Sequence, residues 1–435
     1  MPKEHWKGEV LLNRRLRTAQ ALVLASGLVC CSKVAAQEMV RAVVTTQSNT
    51  PGQFVSPAVD AGDYVYISEQ GPRRADGSLP ATFGEQVRQA LDNVKAVVAA
   101  AGLTMDNVVY TQVYLTDLSK TQELDGVFAQ YFSKVRPARA VLGIANLPSP
   151  PVEINAVAVR DMASLRAVFP ANYPHSDAFS PGVLTHDRLF ISSMRGVDPA
   201  NGKVPDSPAT QVDLALDGFD AVVKAAGLEL SHVVFVNPYL TKEIPTRVMN
   251  EHYARRFEFG NTPARATIEV SGLPGGAHIE YTGVAVRDLS ARKAIRPKNM
   301  PPSPTASPCV FAGETLYCSA KSGFIPGAHG GVYAPSTATQ LRQTMRNQMD
   351  NLEEAGMDFS QVVSTTVYLD DLADLKEFDK VYGEYLGPIL PARTTIEQIS
   401  PGERKPDDEG HYPDFEQVSL IAVRRHSSPE QKSPR

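Results

Sequence analysis

The sequence predicts an α+β protein of three consecutive domains, each a β-β-α-β-α-β-β unit with a mixed sheet and two helices on one face. Three observations lead there. Pro-Ala-Arg recurs as Pro137-Ala138-Arg139, Pro263-Ala264-Arg265 and Pro391-Ala392-Arg393, with the arginines 126 and 128 residues apart. The same succession of apolar patterns surrounds each copy. A period of that length is a whole domain with its own core, not a solenoid repeat, and a chain of 435 residues is too long for a single core.

The elements follow in order. Each copy opens on a short strand and turn, at 58–62, 182–186 and 309–313, and a second strand follows at 64–68, 189–192 and 316–319. An amphipathic helix comes next. Its apolar stripe is Phe83, Val87, Leu91, Val94 and Val98 in copy one, Val212, Leu216, Phe219 and Val223 in copy two, and Leu341, Met345, Gln348 and Leu352 in copy three. Gly102, Gly227 and Gly356 suit a left-handed cap at each helix end. Strands at 108–115, 233–240 and 362–369 follow. Pro238 has no N–H to give a neighbour, which points to an edge or a bulge. A second helix is expected near 119–132, 246–257 and 374–386. Two strands close each copy. The first carries Pro-Ala-Arg, and the second carries Ala158-Val159-Arg160, Ala285-Val286-Arg287 or Ala422-Val423-Arg424. Copy three has extra Pro, Asp, Glu and Gly around 403–412, the composition of an exposed loop. The joints near 161–175 and 288–306 read as linkers, the second rich in Pro and Ser.

The predicted boundaries are 1–36 for an export signal, 37–163, 164–290 and 291–425 for the domains, and 426–435 for a disordered tail. A sheet with helices on one face leaves its other apolar face to be covered. Three tethered copies would cover those faces for one another, as a monomer with intrachain pseudo-threefold symmetry.

The export reading rests on Arg14, Arg15 and Arg17, the apolar run 18–31, and Val34-Ala35-Ala36 ahead of Gln37. It predicts a cut after Ala36 and a periplasmic or secreted protein. The whole chain carries a formal charge of −5, and without residues 1–36 it carries −9. That charge, with no basic stripe interleaved with aromatics, argues against a nucleic-acid partner. No apolar run is long enough to span a bilayer. Cys309 and Cys318 flank a turn at Gly313-Glu314 that would set them opposite each other, either as a disulfide or as two buried thiols. No nucleophile elbow, phosphate loop or zinc-ligand spacing occurs.

The closing block from Pro137-Ala138-Arg139 to Val152-Glu153-Ile154-Asn155-Ala156-Val157-Ala158-Val159-Arg160 resembles the RidA (YjgF/YER057c/UK114) family. So do Leu91-Asp92-Asn93-Val94-Lys95-Ala96 with Ala100-Ala101-Gly102-Leu103, and the turn-rich segment from Ser193 to Pro205. The resemblance covers roughly 40–425, three times over. It implies a chorismate-mutase-like fold assembled in threes, with pockets between neighbouring copies. It also implies hydrolysis of reactive imines and enamines derived from amino acids to keto acids and ammonia, without metal or cofactor. The partner is then a small carboxylate-bearing imine or enamine.

Carried over by position, Arg139, Arg265 and Arg393 would hold the substrate carboxylate, since a planar guanidinium grips a carboxylate through paired hydrogen bonds. Glu153 and Glu280 would handle water and protons, with Gln417 in that place in copy three and Glu416 one residue away. Ser68, Ser192 and Ser319 are the family's serine. The glycine that follows it is replaced by Glu69, Ser193 and Ala320. Phe54 or Val55, Phe179 and Ala306 stand where a tyrosine is expected, and the asparagine of the second helix survives only as Asn250, against Asp125 and Asp379. Copy two is the most complete, so Arg265→Ala is expected to cost more than Arg393→Ala. Without the resemblance, a strand arginine beside a glutamate reads as a plain ion pair. A carboxylate-binding protein without turnover is the alternative function, and a ribonuclease is third.

Overall fold

The computed structural model describes residues 40–45, 54–171, 173, 175–298, 300–327, 331–400 and 402–424. The export segment, its cut after Ala36 and the tail 426–435 lie outside the described residues.

In the first domain the elements are β1 (Arg41–Val43), β2 (Ala58–Asp60), β3 (Tyr64–Gln70), α1 (Phe83–Ala100), β4 (Val108–Leu115), α2 (Thr121–Phe128), β5 (Ala138–Gly143) and β6 (Val152–Val159). Helix α1 starts where the sequence provides a capping box, Thr82 and Glu85 each satisfying the other's backbone amide. The sheet runs β1-β2-β3-β6-β4-β5, antiparallel except for the parallel pair β4–β5, and the other two domains repeat this order. The α1 stripe (Val87, Leu91, Val94, Val98) meets Val65, Ile67, Val113 and Ile154 of the sheet in one core. The first helices of domains two and three, Pro208–Ala225 and Thr337–Glu354, lie where their stripes predict. The three cap glycines have φ of +76°, +80° and +71°. Among the described residues, no helix is long and apolar enough to cross a membrane.

Two expectations change and one open alternative is decided. The joints are not plain linkers: Arg166–Val168 and Arg292–Ile295 pair antiparallel with the next strand of domains two and three, as Arg41–Val43 does in domain one. A short strand with mixed residues leaves no clear alternation to read. Pro238 is neither on an edge strand nor at a bulge, because its strand Val233–Leu240 has neighbours on both sides. The missing N–H instead breaks the parallel neighbour into Ala264–Arg265 and Ile268–Glu269, and the Asn237 side-chain amide donates to the Ala266 carbonyl at 3.3 Å. Cys309 and Cys318 do face each other around the two-residue turn, and their sulfurs are bonded.

The sheet faces turned away from the helices meet each other. Tyr64, Tyr66, Val183, Phe190, Val310 and Tyr317, from all three domains, share one apolar cluster. The contacts close a ring. Ser180 N donates to Pro137 O, Ser307 N to Pro263 O and Ser56 N to Pro391 O, each at 3.1 Å, so domain one docks on two, two on three and three on one. At the centre one residue breaks the equivalence. Arg188 of domain two is buried, bonded to Tyr317 Oη at 3.0 Å and Thr315 Oγ1 at 2.9 Å of domain three, with its guanidinium 4.3 Å from the Tyr64 ring of domain one. Tyr64 and Thr315 open the corresponding strands of the other copies.

Candidate functional site

Each domain has a bulge at the family serine. In domain two, Tyr281 pairs with Met194 and Gly283 with Ile191, so Ser192 and Ser193 together face Thr282. The bulge recurs at Ser68-Glu69 and Ser319-Ala320. It turns the serine hydroxyl toward the neighbouring domain. Ser192 Oγ donates to Ser180 O at 2.6 Å and accepts from Arg139 N at 2.7 Å. Ser319 Oγ accepts from Arg265 N, and Ser68 Oγ from Arg393 N, both at 2.8 Å. These serines therefore lock the Pro-Ala-Arg strand of one domain onto the bulge of the next, and each arginine looks into an interface.

The sequence-predicted residues thus sort into three interfaces that differ from the grouping by copy. Ser192 does not stand beside Arg265: it accepts from the Arg139 amide, and Glu280 is bonded to Ser193, the next residue of that bulge. Only Asn250 stays with Arg265, accepting from its Nη1 at 2.8 Å. The reason is the docking direction: the arginine strand faces the following domain, not its own.

Interface A, between domains one and two, is the most complete. Arg139 is buried, held by Asp125 Oδ1 at 2.5 Å, and its guanidinium lies 4.8 Å from the Phe128 ring and 5.1 Å from the Phe179 ring. Its Nη1 is buried and has no hydrogen-bond partner among the described residues. Glu280 is buried and accepts from Ser193 Oγ at 2.6 Å. Burial pushes its carboxyl up to about 7, against the lowering effects of Ser193 and Arg195. A free guanidinium nitrogen and a carboxyl that exchanges its proton near neutrality can hold an anion and relay a proton beside it.

Interface B, between domains two and three, has Arg265 with Asn250, Ser319 and the Tyr253 ring at 5.1 Å. Register places Gln417 opposite Tyr368, as Glu280 stands opposite Tyr239 and Glu153 opposite Tyr114. Gln417 is thus the counterpart of the two glutamates, and its amide donates to Gln398 Oε1 at 3.2 Å. Glu416 belongs to the helix-side core, where it accepts from Thr344 Oγ1 at 2.5 Å. Interface B can hold an anion but has no acid–base group at that position.

Interface C, between domains three and one, contains its own carboxylate. Arg393 pairs with Asp379 Oδ1 at 2.5 Å, and Glu69 Oε2 accepts from Thr395 N at 2.9 Å, two residues beyond that arginine. Burial raises Glu69 to about 7, opposed by Arg393, and raises Glu153 well above its ordinary value, with Glu69's charge adding to the rise. Both carboxyls hold a proton more tightly in the folded chain than in the unfolded one. For Glu69 the effect on stability is therefore favourable at acid pH and is lost as pH rises through about 7, and for Glu153 the direction is the same. Glu69→Ser, which copies Ser193, is expected to shrink the stability difference between about pH 5.5 and 8.5. It should also raise the calorimetric stoichiometry for a 2-keto acid by one site. An unchanged pH dependence and stoichiometry would mean that Glu69 does not fill this interface.

In interface A a buried arginine on one domain is bonded to a bulged serine pair on the next, and a buried carboxyl is bonded to the second serine of that pair; interfaces B and C vary this arrangement. The family model described as Endoribonuclease L-PSP matches residues 45–160, 171–287 and 299–399, and the chain belongs to that family in three copies. A RutC family protein of Aquifex aeolicus is 37% identical over 28% of this chain and 99% of its own length. The 2-iminobutanoate/2-iminopropanoate deaminase of Escherichia coli is 38% identical over 25% of this chain and 88% of its own. The crystal structure of the Escherichia coli YjgF gene product is 33% identical, covering 28% of this chain and 99% of its own, with a TM-score of 0.26.

Sequence reasoning missed Arg188 and Arg195. Arg195 pairs in register with Glu280, and at that register the third domain has Ser322 opposite Gln417. A charge present in one copy alone was the available signal.

Proposed function

We propose that interface A hydrolyses reactive 2-imino acids, and their enamine tautomers, to 2-keto acids and ammonia. The carrying observation is the buried, unpartnered Nη1 of Arg139 in one interface with the titrating carboxyl of Glu280. The similarity of one domain-length stretch of the chain, 114 residues, to a named imine deaminase supports the same reading. Arg139 holds the substrate carboxylate. Glu280 as carboxylate takes a proton from the attacking water, a C–O bond forms at the imine carbon, and the resulting acid returns the proton to nitrogen. Glu280 then relays the proton of the new hydroxyl to the amino nitrogen as the C–O bond becomes a carbonyl and the C–N bond breaks, leaving the keto acid and ammonia. No covalent intermediate is required, because the imine carbon is already electrophilic.

Water activation needs the ionised carboxyl, so kcat/KM is expected to fall as pH drops through about 7. Glu280→Gln is expected to remove that limb and lower kcat by about a hundredfold or more. Imine disappearance measured across pH tests both. A wild-type profile flat through neutrality, or full activity in Glu280→Gln, would rule out this role. The export expectation stands beside this reading as a proposal: with a cut after Ala36, the imines removed would be those arising outside the cytoplasm.

A further inference from the structure

Arg195 belongs to interface A alone. The bulge at Ser192-Ser193 restores the register so that Arg195 lies directly across from Glu280 on the adjacent strand, on the same sheet face. Its Nη1 donates to Pro274 O at 3.0 Å, in a turn where Gly275 has a φ of +71°. A side chain at Gly275 would begin 3.0 Å from that nitrogen, so this turn sits directly against the guanidinium. Arg195 is half-buried, and among the described residues it has no carboxylate within ion-pair distance. A guanidinium has five N–H donors, and one carbonyl does not satisfy them. Interface A therefore has two arginines around one carboxyl: Arg139, neutralised by Asp125, and Arg195, which is not. The charge of Arg195 bears on both Arg139 and Glu280, which places it at the site rather than beside it.

One carboxylate on the substrate satisfies Arg139 and leaves Arg195 with the Pro274 carbonyl as its hydrogen-bond partner and Glu280, which gives and takes a proton, across from it. We propose that interface A is selective for 2-imino dicarboxylates, the imines of acidic amino acids, with Arg139 on the 2-carboxylate and Arg195 on the distal one. This inference rests on interface A being the deaminase site. Interface C makes the contrast, since it has a second carboxyl, Glu69, beside Glu153 where interface A has Ser193 beside Glu280.

The test uses the full chain and two imines generated in situ, one from glutamate and one from alanine. The wild-type kcat/KM is expected to favour the glutamate-derived imine by at least about tenfold, the worth of one charged contact. Arg195→Gln is expected to reduce that ratio by at least about tenfold, and Arg195→Lys by less, because lysine keeps the charge and loses the fork. Turnover of both imines at a ratio near one, or a ratio indifferent to Arg195→Gln, would overturn the selectivity and leave the deaminase reading intact. If neither imine is turned over, the deaminase reading falls, and calorimetry with 2-oxoglutarate and pyruvate decides the inference. Tighter, Arg195-dependent binding of 2-oxoglutarate upholds it. Equal affinities, or no binding of either, ends it.

Discussion

Replacing Arg139 with alanine is expected to lower kcat/KM toward 2-imino acids by about a hundredfold. Arg265→Ala and Arg393→Ala should each lose less than about tenfold. A hydrogen bond to a charged group is worth roughly 1.5–3 kcal/mol, or about ten- to a hundredfold. The upper end applies to Arg139 because its site is buried and its Nη1 is free. Arg265 faces the interface whose acid–base position holds Gln417, and Arg393 faces the one where Glu69 takes the Thr395 amide. The ranking by copy favoured Arg265, because its own domain has Ser192, Asn250 and Glu280. The docking direction transfers two of those three to Arg139. Steady-state kinetics of the three single variants decides the matter. If Arg265→Ala proved the most damaging, the assignment of interface A would be wrong.

Arg188→Met is expected to destabilise the protein by about 3 kcal/mol or more and to split or broaden its unfolding transition. Removing one partner of a buried charged cluster leaves the others unsatisfied. Here those others are Tyr317 and Thr315 of domain three and Asp187 beside it, bonded to Arg188 Nε at 3.1 Å. Asp187 in turn accepts from Tyr64 of domain one at 2.5 Å. One side chain thus ties three domains, and its loss should uncouple them. Arg74→Ala, at an exposed arginine bonded to Ser78, should stay within about 0.5 kcal/mol. Denaturant unfolding followed by fluorescence and circular dichroism is the measurement. A single transition with the wild-type midpoint would show that Arg188 does not hold the ring.

The asymmetry also bears on assembly. Three identical chains would place three arginines together at the centre, where like charges in a dry core are costly. In this single chain the three positions differ, as Tyr64, Arg188 and Thr315, so the centre holds one arginine. The bulge residues differ likewise, as Glu69, Ser193 and Ala320, and the three interfaces are unlike.

Much of this was legible residue by residue. The helix stripes, the cap glycines and the two-residue turn at Gly313-Glu314 are local features, and local chemistry specifies them. The site residue types were legible because Pro-Ala-Arg, the serine and the last-strand glutamate recur in one order. Pro238 was read correctly as a residue that cannot donate to a neighbouring strand. Its consequence fell on that neighbour, since the Asn237 amide could replace the missing donor. Arg188 and Arg195 look like ordinary strand arginines until their neighbours in other domains or on adjacent strands are known.

The sequence by itself determined three like domains, their α+β elements and the residues from which any site must be built. Those follow from periodicity, turn chemistry and repetition, all of which act over short stretches of chain. The tertiary structure alone decided which arginine meets which glutamate. Arg393 bonds to Ser68 across 325 residues, and Arg139 to Ser192 across 53, because the helix-free sheet faces bury themselves only against another domain. That burial also removes water from Glu280 and raises its carboxyl to about 7, a property of the closed ring and not of the residue.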